Sequence, residues 1–293
     1  MKQVHKNDLI SYSVLIVVIF FIVKSSTEEF SYLSIEYWPI IFPQCGGQRQ
    51  SPITWTYQDL IAGDSNDDLS LFNYGKKPLS ARLLNDGHTI KVLFEWNENE
   101  TPFFSGGILG DNEYVVDSMN FHWNRYRPEG AEHCFTDNCS PMEMQLIHYN
   151  RNYGSFNNSL NFTDGLVIYS AAIDYSFPKA PRSAPLSYIF KNVELVRTPG
   201  SSADIEPFII SNIIGHRTQS SYLVYSGSLT TPPCTENVLW LLSSTTLFIN
   251  RELIEFFRST AEFDYGDGHN NRPPQPLNGR NLTFIQGFGD AVI

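Results

Sequence analysis

The residues able to do chemistry sit in four short segments of this 293-residue chain. Cys45-Gly-Gly-Gln-Arg-Gln-Ser-Pro-Ile53 comes first, followed by Leu84-Asn-Asp-Gly-His88. Phe121-His122-Trp123 is next, with Glu132-His133 shortly after it and Glu143-Met144-Gln145 to His148 beyond. Gly227-Ser-Leu-Thr-Thr-Pro-Pro-Cys-Thr-Glu236 closes the series, with Trp240 after it. On a strand, residues two apart face the same side. Here the position two before His122 is Asn120, and the polar residue two after Glu143 is Gln145.

The elements that must position these residues read as β. Ala81 to Leu84, the turn residues Asn85-Asp86-Gly87, and Thr89 to Phe94 predict two strands joined by a tight turn. Gly165 to Ile173 is nearly all apolar, as in a strand buried on both faces, and Ser221 to Tyr225 and Val238 to Leu242 resemble it. One helix is predicted after Asn250, which can cap it, with Leu253, Phe256 and Phe257 on one apolar face. No stretch rich in Gly, Ser or Pro separates domains, and no internal repeat is present.

Residues 1–25 differ from the rest. Lys2 and Lys6 precede a 15-residue uncharged run, Leu9 to Val23, which ends at Lys24 and small polar residues. That pattern predicts a secretory signal peptide, the run being short of the ~20 residues that span a bilayer. An uncleaved signal anchor is the alternative. Loss of the leader shifts the net charge from −11 to −13. So acidic a chain without a Lys/Arg block excludes nucleic acid as a partner and argues against a glycosaminoglycan-binding adhesin. Four cysteines (Cys45, Cys134, Cys139 and Cys234) in a chain with such a leader favour two disulfides, with three pairings open. Five Asn-x-Ser/Thr sequons, at Asn99, Asn138, Asn157, Asn161 and Asn281, fit a glycoprotein.

In order and spacing the four segments resemble the α-carbonic anhydrases, and Arg272-Pro-Pro-Gln-Pro-Leu277 extends the likeness. The resemblance implies a single, mainly β domain over residues 28–285, with residues 286–293 as a tail. It implies a central, twisted, mostly antiparallel sheet of about ten strands, a few peripheral helices and a deep conical pocket. It pairs Cys45 with Cys234, as in extracellular members, and leaves Cys134 and Cys139 to close a local loop. In the family three histidines hold a zinc ion, which lowers the pKa of bound water to about 7 for CO2 hydration.

This chain departs from the pattern at two of three ligand positions. Asn120 and Gln145 stand where histidines are expected, and His122 alone matches. Carboxamides are neutral oxygen donors, suited to hard cations more than to zinc. His88 resembles the family's proton shuttle, while His133 and His148 resemble structural histidines. Glu132 and Thr230 match the pair that orients the zinc-bound hydroxide, and a buried hydrogen bond between them is expected. Ile147, Ile168, Leu229, Thr231 and Trp240 match pocket positions. The sequence therefore points to a secreted carbonic-anhydrase-related chain without hydratase activity or a metal cofactor. Its expected role is a binding module for an extracellular protein or small ligand, with no membrane span in the mature chain. The alternative is a carbonic anhydrase working through an altered zinc site.

Overall fold

A computed structural model describes residues 30–63, 69–177, 183–215, 221–264 and 267–286. The expected leader (1–25) and most of the tail lie outside the described residues. Short strands come first: β1 (Thr54–Trp55), β2 (Leu60–Ala62) and β3 (Ser70–Phe72). The hairpin β4 (Ser80–Asn85) and β5 (Ile90–Glu95) follows, then β6 (Phe103–Ser105) and the long β7 (Tyr114–Trp123). After β8 (Cys134–Phe135) come two more long strands, β9 (Met142–Asn150) and β10 (Leu166–Tyr175). β11 (Ser202–Ile205), β12 (Ser221–Gly227), β13 (Val238–Ser243), β14 (Leu247–Ile249) and β15 (Leu282–Gln286) complete the set.

Ten of these strands run in the order β11-β4-β5-β7-β9-β10-β13-β12-β15-β2, with β14, β3 and β6 attached beside that path. Most pairs are antiparallel, while β10–β13, β10–β14 and β15–β2 are parallel. β1 and β8 form a separate parallel pair. The helices are short and peripheral: α1 (Trp38–Ile41), α2 (Phe156–Ser159), α3 (Ala184–Lys191), α4 (Ser211–Ile214) and α5 (Arg251–Thr260).

The β4–β5 hairpin forms where the sequence placed it, its connection spanning residues 86–89. Gly87 adopts a φ of 90° there, which a side chain would oppose, and Asp86 Oδ1 accepts the His88 and Thr89 N–H groups.

Strict alternation divides the central sheet. Met119, Phe121 and Trp123 of β7, Met142, Met144 and Leu146 of β9, and Val167, Tyr169 and Ala171 of β10 enter the main core. α3 and α5 cover that side with Leu186, Ile189, Phe190, Ile254 and Phe257. The expected apolar face of α5 needs correction: Ile254, Phe257 and Arg258 are buried, and Phe256 is exposed. At helical spacing, the stripe that meets the sheet runs through Ile254 and Phe257, which turns Phe256 to solvent. Asn250 does cap the helix, its side chain accepting the Glu252 N–H at 2.9 Å. Asn250→Ala is expected to lower stability by about 1 kcal/mol in a urea titration.

His148 also points into the main core. It stacks on Phe104, its Nδ1–H donates to the Val167 carbonyl, and Tyr74 donates its hydroxyl to Nε2. Burial holds its pKa down at about 3. The unfolded chain, with an ordinary histidine, binds the proton first. Stability attributable to this site is therefore complete above about pH 6.5 and falls on acidification, by about 1.4 kcal/mol per pH unit, until about pH 3. Urea melts at pH 7 and pH 5 of wild type and His148→Gln should show a shallower pH slope in the variant.

Candidate functional site

The other face of the same strands carries the polar residues singled out in the sequence. Asn120 and His122 alternate with the core residues of β7, and Glu143, Gln145 and Ile147 do so on β9. Antiparallel register sets Asn120 opposite Gln145 and His122 opposite Glu143. Directly paired residues have Cβ atoms about 5 Å apart, so the three positions share one spot on the sheet. Ile147 and Ile168 continue that face, packing with Leu229 and Trp240 in a second apolar cluster. Trp240 is fully buried behind them and donates its indole N–H to the Ser228 carbonyl, while Thr231 is half-exposed.

Gln145 holds the arrangement together. Its amide nitrogen donates to Glu132 Oε2 at 2.8 Å and to Glu143 Oε1 at 3.0 Å, so both hydrogens are committed to buried carboxylates. Glu143 also accepts from the Ser170 hydroxyl, from His133 Nδ1 at 2.9 Å, and from the backbone N–H groups of residues 132 and 133. Burial alone would raise its pKa; the facing His133 and these hydrogen bonds outweigh that and hold it below the usual carboxylate range. His133 Nε2 lies 2.6 Å from the Tyr225 hydroxyl, which donates in turn to Ser51.

Glu132 corrects an expectation. Its Oε1 accepts the Arg272 backbone N–H at 3.0 Å and its Oε2 accepts from Gln145. Among the described residues no hydrogen bond joins it to Thr230. Gln145 brings the carboxylate a charge-assisted donor from β9 instead.

His122 donates Nδ1–H to the Asn270 carbonyl at 2.7 Å, which leaves Nε2 as the nitrogen with a lone pair. Asn270 is fully buried and also binds the backbone of His88, Phe121 and Trp123, fixing the 267–272 loop to β7. Neither Asn270 nor the Arg272 backbone was identifiable as a site element from local sequence, because each acts across more than a hundred residues. His88 is half-buried and stacks on Phe30 with ring centroids 3.9 Å apart; burial pushes its pKa down.

These residues do not fit a zinc ion. Only His122 offers an imidazole nitrogen. With both hydrogens of Gln145 tied to carboxylates, its one remaining donor atom is a neutral oxygen. Asn120 Oδ1 is buried with no hydrogen-bond partner. Among the described residues there is no group of three His, Cys, Asp or Glu side chains able to hold a metal. Zinc takes Cys, His or carboxylate ligands, so one imidazole and two carboxamides are the wrong donors.

The sequence pattern of the eukaryotic-type carbonic anhydrases matches residues 33–286. The chain belongs to that family. It is 32% identical to carbonic anhydrase 1 of Oryctolagus cuniculus over 246 residues, 80% of this chain and 98% of that protein. It is 28% identical to carbonic anhydrase 6 of Mus musculus over 278 residues, 90% of this chain and 84% of the relative. Carbonic anhydrase 7 of Mus musculus is 31% identical over 83% of this chain. Both disulfides follow the family expectation: Cys45–Cys234 closes a separation of 189 residues and Cys134–Cys139 one of 5.

Proposed function

We propose that this protein is a secreted carbonic-anhydrase-related domain that does not hydrate CO2 and acts as an extracellular binding module. The observation that carries the reading is the commitment of Gln145 to Glu132 and Glu143, which leaves His122 as the single imidazole at the family's metal position. Glu132 bonds to Gln145 and to the Arg272 backbone, and to Thr230 by no hydrogen bond among the described residues, so the hydroxide-orienting pair is parted along with the ligand set. His122, Glu132 and Thr230 then persist as framework, with His88 serving no hydroxide.

Two disulfides support an oxidising compartment, and the leader-like residues 1–25 agree with it. The asparagines of all five sequons are exposed, as glycosylation requires. The partner is an extracellular protein or small ligand that recognises the folded domain of residues 28–285.

The test is restoration. The Asn120→His, Gln145→His double variant should acquire both zinc and CO2 hydration, read by stopped-flow pH change, while wild type supplied with zinc stays at the uncatalysed rate. Hydration by zinc-supplied wild type at a rate matching the double variant would sink the proposal.

A further inference from the structure

A cavity of about 430 Å³ lies outside the family site, between the 160–163 segment that follows α2 and the 235–237 segment that precedes β13. Its wall combines an aromatic residue with hydrogen-bonding groups, among them the Glu236 carboxylate, which lies 3.6 Å from the Arg49 guanidinium. Phe162 is 44% exposed, and Tyr153 stacks parallel beneath it with ring centroids 3.7 Å apart. Around it stand the carboxamides of Gln44 and Asn161 and the hydroxyls of Thr163 and Thr235. Asn237, only 4% exposed, lines the same cavity; its Nδ2 donates to the Ser159 carbonyl, and its Oδ1 is buried without a partner.

We propose that this cleft holds a pyranose ring of a glycan. A sugar presents an apolar C–H face, which packs on an aromatic ring, and a rim of hydroxyls, which needs donors and acceptors. The exposed flank of Phe162 supplies the first, and the amides and hydroxyls supply the second. Carboxamides and hydroxyls both donate and accept, as a sugar hydroxyl does, and the Glu236 carboxylate adds a further acceptor.

Two sources can deliver the sugar. Asn161, in the sequon Asn161-Phe162-Thr163, sits on the rim of the cleft, so the protein's own glycan starts there. Its Nδ2 donates to the Asn158 carbonyl at 3.2 Å, a bond that the single N–H left after glycosylation can keep, aiming the first sugar. The other source is a glycan on a partner. The self-glycan source rests on the secretory reading above, whereas the cleft does not.

The experiment compares wild type, Asn161→Gln and Phe162→Ala, all secreted from an oxidising host; Phe162→Ala keeps the sequon. Glycopeptide mass spectrometry gives Asn161 occupancy, and hydrogen exchange reads segments 160–163 and 235–237. If the glycan is the protein's own, Asn161 is occupied and both segments exchange about threefold slower than in Asn161→Gln. Phe162→Ala then abolishes that difference at unchanged occupancy. If the source is external, chitotriose slows the same segments in Asn161→Gln and not in an Asn161→Gln, Phe162→Ala double variant. Protection by neither the attached glycan nor chitotriose overturns the proposal. Absence of glycan at all five sequons would count against secretion, and the chitotriose arm would still decide the cleft.

Discussion

Gln145→Glu should destabilise the domain by about 3–5 kcal/mol at pH 7, the largest effect expected from any single substitution in the site. The change is nearly isosteric, so packing is preserved. What is lost is the amide that donates to Glu132 at 2.8 Å and to Glu143 at 3.0 Å. In its place a third carboxylate faces two that are already buried, and each of those loses a donor. The introduced group resists ionisation in the fold, so its folded pKa lies above the unfolded value of about 4.3. Its destabilisation is therefore small below about pH 4.3 and grows as pH rises through the raised folded value. Urea titrations of both chains at pH 4.5 and pH 7 measure this. A loss under 1 kcal/mol at pH 7 would mean that Gln145 is a passive replacement and that Glu132 has other partners.

Removing the long disulfide is the second large effect. Cys45 lies beside Trp38 and Tyr32 in a small N-terminal cluster, and Cys234 follows the Thr230-Thr231-Pro-Pro run. A bond across 189 residues restricts the unfolded chain strongly, and Cys45→Ala, Cys234→Ala should cost about 5 kcal/mol in the chain-entropy model. The 5-residue separation of Cys134 and Cys139 predicts only about 2 kcal/mol for the corresponding pair of alanines. Equal losses in denaturant titrations would argue against a loop-length origin for the difference.

Much of this architecture was legible because sheet alternation is a local signal. Met119-Asn120-Phe121-His122-Trp123 states on its own that Asn120 and His122 share a face opposite three core residues, and the register with Glu143 and Gln145 bears that out. The Asp86-Gly87 hairpin, the β10 run and the Asn250 cap were readable for the same reason. The face of α5 was not: choosing Ile254 over Phe256 required knowing where the sheet lies.

The wiring of the site was the least legible part. Sequence placed Glu132 with Thr230, yet Glu132 is held by Gln145 and by the backbone of Arg272, contacts that depend on loop placement rather than periodicity. Likewise, nothing near Asn270 in sequence announces that its carbonyl sets the tautomer of His122. The cleft at Phe162 is also invisible locally, because its two walls are joined only by the fold.

The measurement that bears most directly on the central claim is zinc per folded chain. Residues 26–293 would be produced in an oxidising secretory host with zinc in the medium, dialysed against zinc-free buffer, and assayed for metal by mass spectrometry. The Asn120→His, Gln145→His variant would be treated in parallel. Wild type should carry far less than one zinc per chain while the double variant carries about one, as three imidazoles bind and one imidazole with two carboxamides does not. About one zinc on dialysed wild type would contradict the account and make Asn120 and Gln145 true ligands.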